Sequence, residues 1–217
     1  MKKISTPNKL CIAVALAALS PLALAQSAGD LVVRARAVHL ESANTNSDDL
    51  KATLTTVIGA PASATINNKW LPEVDFTYYI SPNLAAELVL TVPQKQTLYV
   101  NGGAIGSFKH LPPTLTAQYH FTQLGAIKPY VGAGLNLTLL SSVKFDPSLA
   151  ALDLDLKKNS VGLAFQAGVD YAIDKKWSLN LDLKKVQIKT DVSSAGTKIG
   201  TFKVDPTLLG IGVGYKF

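Results

Sequence analysis

The chain has 217 residues, 47% of them hydrophobic, a formal net charge of +6 and a single cysteine, Cys11. One cysteine excludes an intramolecular disulfide framework and a multi-thiolate metal site, and the positive charge forms no basic stripe of the kind that reads as nucleic-acid binding. Beyond the first 25 residues there is no unbroken apolar run of about 18 residues and no long internal repeat, which excludes a helical membrane span and a solenoid there.

In chain order, Lys2, Lys3 and Lys9 lead into an apolar stretch over residues 10–24 that ends in Ala23-Leu24-Ala25. A basic start, an apolar core and a small-x-small end describe an export signal over residues 1–25. The apolar stretch, at about 15 residues, falls short of the roughly 20 that a spanning helix needs. Cleavage after Ala25 would remove Cys11 and three lysines, lowering the formal charge from +6 to +3 and leaving residues 26–217 as one domain.

Eight strand-like segments follow, at about residues 30–41, 70–80, 83–92, 108–121, 128–140, 160–173, 177–190 and 202–217. Most reach the roughly 9–11 residues of a tilted membrane strand. Their connections alternate in length. Residues 81–83, 122–127 and 174–176 are short turns, whereas residues 42–69, 93–107, 141–159 and 191–201 are long and rich in Ser, Thr, Asn, Gly and Asp. Short periplasmic turns and long outer loops are the pattern of an outer-membrane barrel. The fold class is therefore all-β, an eight-stranded antiparallel transmembrane barrel with four extracellular loops and both ends of the barrel domain at the periplasm.

The final strand states the face assignment most clearly. Ile211, Val213, Tyr215 and Phe217 alternate with Gly212, Gly214 and Lys216, so one face is apolar and ends in aromatics, as a lipid-facing band with an aromatic girdle requires. Val131, Ala133, Leu135, Leu137 and Leu139 alternate likewise with Tyr130, Gly132, Gly134, Asn136 and Thr138. A water-soluble barrel would turn such an apolar face inward.

Carried around the barrel, the same phase puts Arg34, Arg36, Glu73, Asp75, Glu87, Asp170, Asp182, Lys184 and Lys216 inside. An eight-stranded lumen is just wide enough for side chains, and charges held out of bulk water need partners. These residues read either as a packed, paired interior or as an ion-selective filter. Above them the inward positions become apolar: Val38, Leu40, Val89 and, unless a bulge shifts the phase, Val186 and Ile188. That pattern suits a greasy funnel for apolar ligands, or ordinary packing of a small barrel. Pro112 and Pro113 interrupt the fourth strand, where a closed barrel has no edge to accommodate them. They mark either a bulge that bends the strand or a lateral gap towards lipid.

Several segments carry a family resemblance. Val33-Arg34-Ala35-Arg36-Ala37, Phe76-Thr77-Tyr78-Tyr79, Asn83-Leu84-Ala85-Ala86-Glu87-Leu88, residues 111–121, residues 128–136, Gln166-Ala167-Gly168-Val169-Asp170-Tyr171, Val204-Asp205-Pro206 and Gly214-Tyr215-Lys216-Phe217 resemble the OmpW family of outer-membrane proteins. The resemblance runs in order along nearly the whole domain. It implies an eight-stranded barrel with a hydrophobic channel that admits small apolar molecules and releases them sideways into the membrane; the family includes an alkane-uptake protein. The chain departs from the family at Lys184-Lys185, where an aromatic is frequent, and its first long loop is poor in aromatics.

The functional expectation is thus passive uptake of small hydrophobic solutes across a Gram-negative outer membrane, with lateral release at Pro112 and Pro113. The alternative is a closed barrel whose loops form a binding or structural surface. Expected partners are membrane lipid and lipopolysaccharide, the solutes, and the barrel-assembly machinery through Phe217; nucleic acid, cofactors and metals are not expected. Catalysis finds little support: His39, His110 and His120 lie on separate segments outside any metal-ligand pattern, and Ser107 with His110 is the closest approach to a nucleophile–base pair.

Overall fold

The computed structural model describes residues 26–217; the expected export signal lies outside the described residues. Eight strands close into an antiparallel barrel: β1 (Leu31–Glu41), β2 (Lys69–Tyr79), β3 (Leu84–Thr91), β4 (Thr114–His120), β5 (Ile127–Phe145), β6 (Asn159–Ala172), β7 (Trp177–Val186) and β8 (Thr207–Lys216). Each pairs with its sequence neighbour, and β8 returns to β1 from Val32↔Lys216 to Glu41↔Thr207. Closure leaves no free edge, the condition for a sheet in hydrocarbon, where no water can satisfy an open backbone group.

Alternation decides what each face meets. Leu135, Val161 and Ile211 project outward with 60%, 68% and 60% of their surface exposed, which in water would be untenable as a continuous belt and in lipid is the required surface. At the end that carries the short turns the belt finishes in edge-to-face rings: Trp177 on Tyr215 and Tyr215 on Phe217 with centroids 4.9 Å apart, and Tyr119 on Phe121 at 5.2 Å. The inner face alternates large charged groups with glycine for room. A Cβ on Gly168 would stand 2.4 Å from Cζ of Tyr130, so only glycine lets that ring lie across the lumen.

The long connections are more ordered than their polar composition suggests. The first contains α1 (Asp48–Ile58), capped by Ser47, whose hydroxyl accepts from Leu50 N, and closed by Gly59 in a left-handed conformation. The second is a hairpin, Gln94–Val100 with Gly103–Leu111. The third and fourth supply Leu154–Leu156, Lys189–Ser194 and Thr197–Lys203, which join Thr45–Asn46 in a separate four-stranded sheet. α1 seats Leu50 over Gly200 of that sheet, within a buried apolar cluster that includes Leu98, Phe108, Leu156 and Phe202.

Four expected strands therefore end differently. The segment expected at 108–121 is two strands broken at Pro112-Pro113. β7 stops at Val186, before Lys189–Ser194 leaves for the outer sheet, and β8 starts after Pro206 because the proline offers no N–H to a ladder. β5, by contrast, runs on to Phe145 because the hairpin strand Gly103–Leu111 pairs with its outer half.

Candidate functional site

The floor of the lumen is a single ionic network hung from two arginines. Arg34 donates from Nε and Nη2 to Asp170 at 3.1 and 2.7 Å and from Nη1 to Asp75 at 3.1 Å, and it also donates to Thr77. Arg36 reaches Glu73 at 3.1 Å, Glu87 at 3.2 Å and the Asn180 oxygen at 2.7 Å; its Nη1 also stands 3.2 Å from Asp75 Oδ2, without hydrogen-bond alignment. Lys184 Nζ lies 3.3 Å from Glu73 and 3.8 Å from Asp182. All these side chains are buried.

Arginine suits this position because its planar fork of five N–H donors holds several carboxylates in fixed directions. Five strands supply the network. Its members Arg34, Arg36, Glu73, Asp75, Glu87, Asp170, Asp182 and Lys184 all face the lumen, where alternation places them. Lys216 stands apart from the arginines at the short-turn end of the lumen, on Asp30 at 3.1 Å.

Neutral partners complete the floor. Tyr130 donates to Asp182 at 2.8 Å, Asn180 donates to Asp170 at 2.8 Å and Gln166 donates to Glu87 at 3.0 Å. His120 stacks on Tyr130 at 4.9 Å and meets Tyr79, whose hydroxyl accepts from Gln26 at 2.7 Å. Alternation places Tyr130 on the inner face without naming its partner; the sequence carries no signal for the rings packed around His120, which join three strands.

Above the floor the lining changes character. Val38, Leu40, Val89, Val186 and Ile188 are all buried, and Leu40, Val89, Val186 and Ile188 line one cavity together with Leu71 and Leu208. Leu71 and Leu208 were legible by alternation, being in phase with Glu73 and Gly210. The cavity holds about 30 Å³, room for one or two waters, against the roughly 300–1,000 Å³ of a ligand pocket. Lys184 lines the cavity from below while its ammonium joins the floor, and Lys185 points outward and donates to the Asp205 carbonyl at 2.6 Å.

One side of this cavity meets a lapse in the ladder. β3 and β4 pair up to Val89↔Thr114, and the outer hairpin resumes at Gln94↔His110; residues 90–93 and 111–113 between them are unpaired with each other. The two sums of paired numbers differ by one, so the register also slips here. Pro93, Pro112 and Pro113 all fall in this stretch, and Pro112, Thr114, Gln94 and His110 line the cavity's wall. On the other side the seam is held shut: Leu137 N donates to the Pro113 carbonyl at 3.0 Å, and the Asn136 amide donates to the carbonyls of Pro112 and Pro113 at 3.2 and 3.3 Å. The interruption is thus confined to the β3–β4 side. Pro93 was not singled out from sequence, since a proline at the start of a loop is unremarkable until its partner strand is known.

The histidines stand apart from one another. His39 faces outward against Trp70 at 5.2 Å, and His110 is buried beside Gln96 at 3.4 Å while Ser107 lies on the outer surface near Lys144. Among the described residues no cluster of His, Cys, Asp and Glu could hold a metal ion.

Comparison with known proteins agrees with this architecture. The sequence pattern of the OmpW family matches residues 27–217. An outer-membrane protein of Sinorhizobium fredii, y4mB, is 40% identical over 73% of this chain and 71% of its own. The dibenzothiophene metabolism operon protein PahQ of Pseudomonas aeruginosa is 29% identical over 74% of this chain and 77% of its own. The crystal structure of OprG from Pseudomonas aeruginosa superposes with a TM-score of 0.72 at 28% identity, covering 89% of this chain and 98% of that one.

Proposed function

We propose that this chain, which belongs to the OmpW family of outer-membrane barrels, is a channel for passive uptake of small hydrophobic molecules that releases them sideways into the bilayer. The observation that carries the reading is the apolar cavity above a charged floor, with one wall formed by the unpaired stretch at residues 90–93 and 111–113. An apolar solute gains from Leu40, Leu71, Val89, Val186 and Ile188 and would have to shed its favourable surroundings to cross Arg34, Arg36 and their carboxylates. The path of least cost then runs sideways at Pro112 and Pro113. With room for only one or two waters, the cavity must widen for a solute to pass, and the lapse in the ladder is where the wall has fewest bonds to break. That a relative is named for a dibenzothiophene operon fits cargo of this polarity. The reading assigns the protein no catalytic step; its partners are the solute, the surrounding lipid and lipopolysaccharide, and the barrel-assembly machinery at Phe217.

The small cavity and the ordered outer sheet favour a second reading, a closed barrel whose extracellular surface does the work. Uptake of a labelled hydrophobic solute by cells lacking and then regaining the protein separates the two. Protein-dependent, saturable uptake with little ion conductance in planar bilayers supports the conduit; unchanged uptake leaves the closed barrel. A large ion conductance would instead make the charged floor a filter.

A further inference from the structure

The outer rim carries a second constellation that the conduit does not use. On the outward face of the hairpin Gln94–Val100 and Gly103–Leu111, Lys95 stands directly opposite Lys109, and Ser107 stands opposite Lys144 of β5. These four residues, with Phe108 and Ser142, line an open cleft of about 200 Å³. Like charges facing each other across a sheet destabilise it. Among the described residues, Lys95, Lys109 and Lys144 form no ion pair with a carboxylate, although Lys51, Lys198 and Lys216 each find one. Three ammonium groups are thus gathered around one cleft with no carboxylate paired to them among the described residues.

The height of the cleft identifies what can. Along the outward face of β5 the lipid-facing series Leu135, Leu137, Leu139 ends, and the next outward residue, Ser141, pairs with Lys109. A two-residue step along a strand is about 7 Å, which puts the lysines just past the hydrocarbon edge, at head-group level.

We propose that Lys95, Lys109 and Lys144, with the hydroxyls of Ser107 and Ser142, bind the phosphate groups of an outer-leaflet glycolipid, lipopolysaccharide, immediately beside the lateral seam. The inference rests on the outer-membrane location of the chain and not on the conduit. Lys95 follows Pro93 by two residues and Lys109 precedes Pro112 by three, so the bound head group sits over the unpaired stretch and its acyl chains lie against that wall. Each lysine near an anionic surface contributes roughly a fivefold gain in affinity, so three together contribute roughly 100-fold, diminishing with salt.

The test is native mass spectrometry of the full barrel, purified from outer membranes in mild detergent and titrated with bisphosphorylated lipid A, with dephosphorylated lipid A and with inorganic phosphate as competitor. The wild type should retain one lipid A, the triple variant Lys95→Gln, Lys109→Gln, Lys144→Gln should bind it roughly 100-fold more weakly, and dephosphorylated lipid A should bind the wild type as weakly as lipid A binds the triple variant. Lys185→Gln with Lys189→Gln, elsewhere on the outer rim, should change nothing. Undiminished retention by a triple variant that still migrates as a folded barrel overturns the proposal, as do an equal loss in the control variant, which would make the attraction diffuse, and displacement of lipid A by equimolar inorganic phosphate. Should the triple variant fail to fold, Lys109→Gln alone must show the fivefold loss.

Discussion

Replacing Pro112 and Pro113 by valine should make the barrel more stable and less permeable at once. Pro112→Val restores a backbone N–H on the side where β3 and β4 lie without pairing, and Pro113→Val one towards Leu137 of β5, whose N–H the Pro113 carbonyl already accepts; valine is a favourable strand residue. A net contribution of about 1 kcal/mol for the one hydrogen bond restored across the seam lowers the population of an opened seam by a factor of about 5. If solutes leave through that seam, uptake falls by the same factor while the unfolding midpoint in urea rises. The assay is transfer of a hydrophobic fluorophore into proteoliposomes, alongside amide exchange at residues 90–92 and 111–113. The two readouts move in opposite directions, which a merely damaged protein cannot imitate. New exchange protection across the seam with unchanged uptake would refute lateral release.

The other expectations follow from single contacts. Arg34→Met should destabilise the barrel by about 3–5 kcal/mol in chemical denaturation, since it strands Asp170 and Asp75 without their shared partner; a cost below about 1 kcal/mol would mean the carboxylates neutralise by themselves. Gly200→Ala would bring a Cβ to 2.5 Å from that of Leu50, so limited proteolysis should cut the loop bearing α1 much faster while the barrel's thermal transition stays put; equal cutting rates would show that α1 does not need this seat. In the hairpin of Lys189–Ser194 with Thr197–Lys203, the hydrogen bond from Lys198, then that from Thr201, holds the Asp191 carboxyl below the usual range. A lowered folded pKa stabilises above the unfolded value of about 3.9 and loses that stabilisation as pH falls through the folded value. Amide protection of Lys189–Ser194 should therefore persist at pH 5 and decline below about pH 4, and Lys198→Met should move the decline upward; a pH-independent hairpin would dismiss the pair.

Much of this protein is written locally. The count of eight barrel strands, the outer face of Leu135, Val161 and Ile211 and the inner face of Arg34, Arg36 and Glu87 follow from a two-residue period in segments of membrane length, because a side chain in a strand has only two directions and lipid accepts only one kind. The pairing of charges in the lumen was foreseeable for the same reason, as a buried arginine without an acid is too costly to persist. Which acid meets which arginine was not, since Arg34 and Asp170 lie 136 residues apart and come within 2.7 Å only when β1 and β6 face each other across a closed barrel. The outer sheet escaped notice because Thr45–Asn46 finds its partner in Phe202–Lys203, and a two-residue strand has no periodicity to read. The prolines were conspicuous at 112 and 113, but their consequence depended on Pro93 in the neighbouring strand and on a one-residue slip between two ladders. Lys95 and Lys144 were likewise ordinary loop residues, and Lys109 an ordinary strand residue, until pairing set Lys95 opposite Lys109. Alternation specifies which way a side chain points, whereas register between distant strands, which is settled by closure of the whole barrel, specifies what it meets.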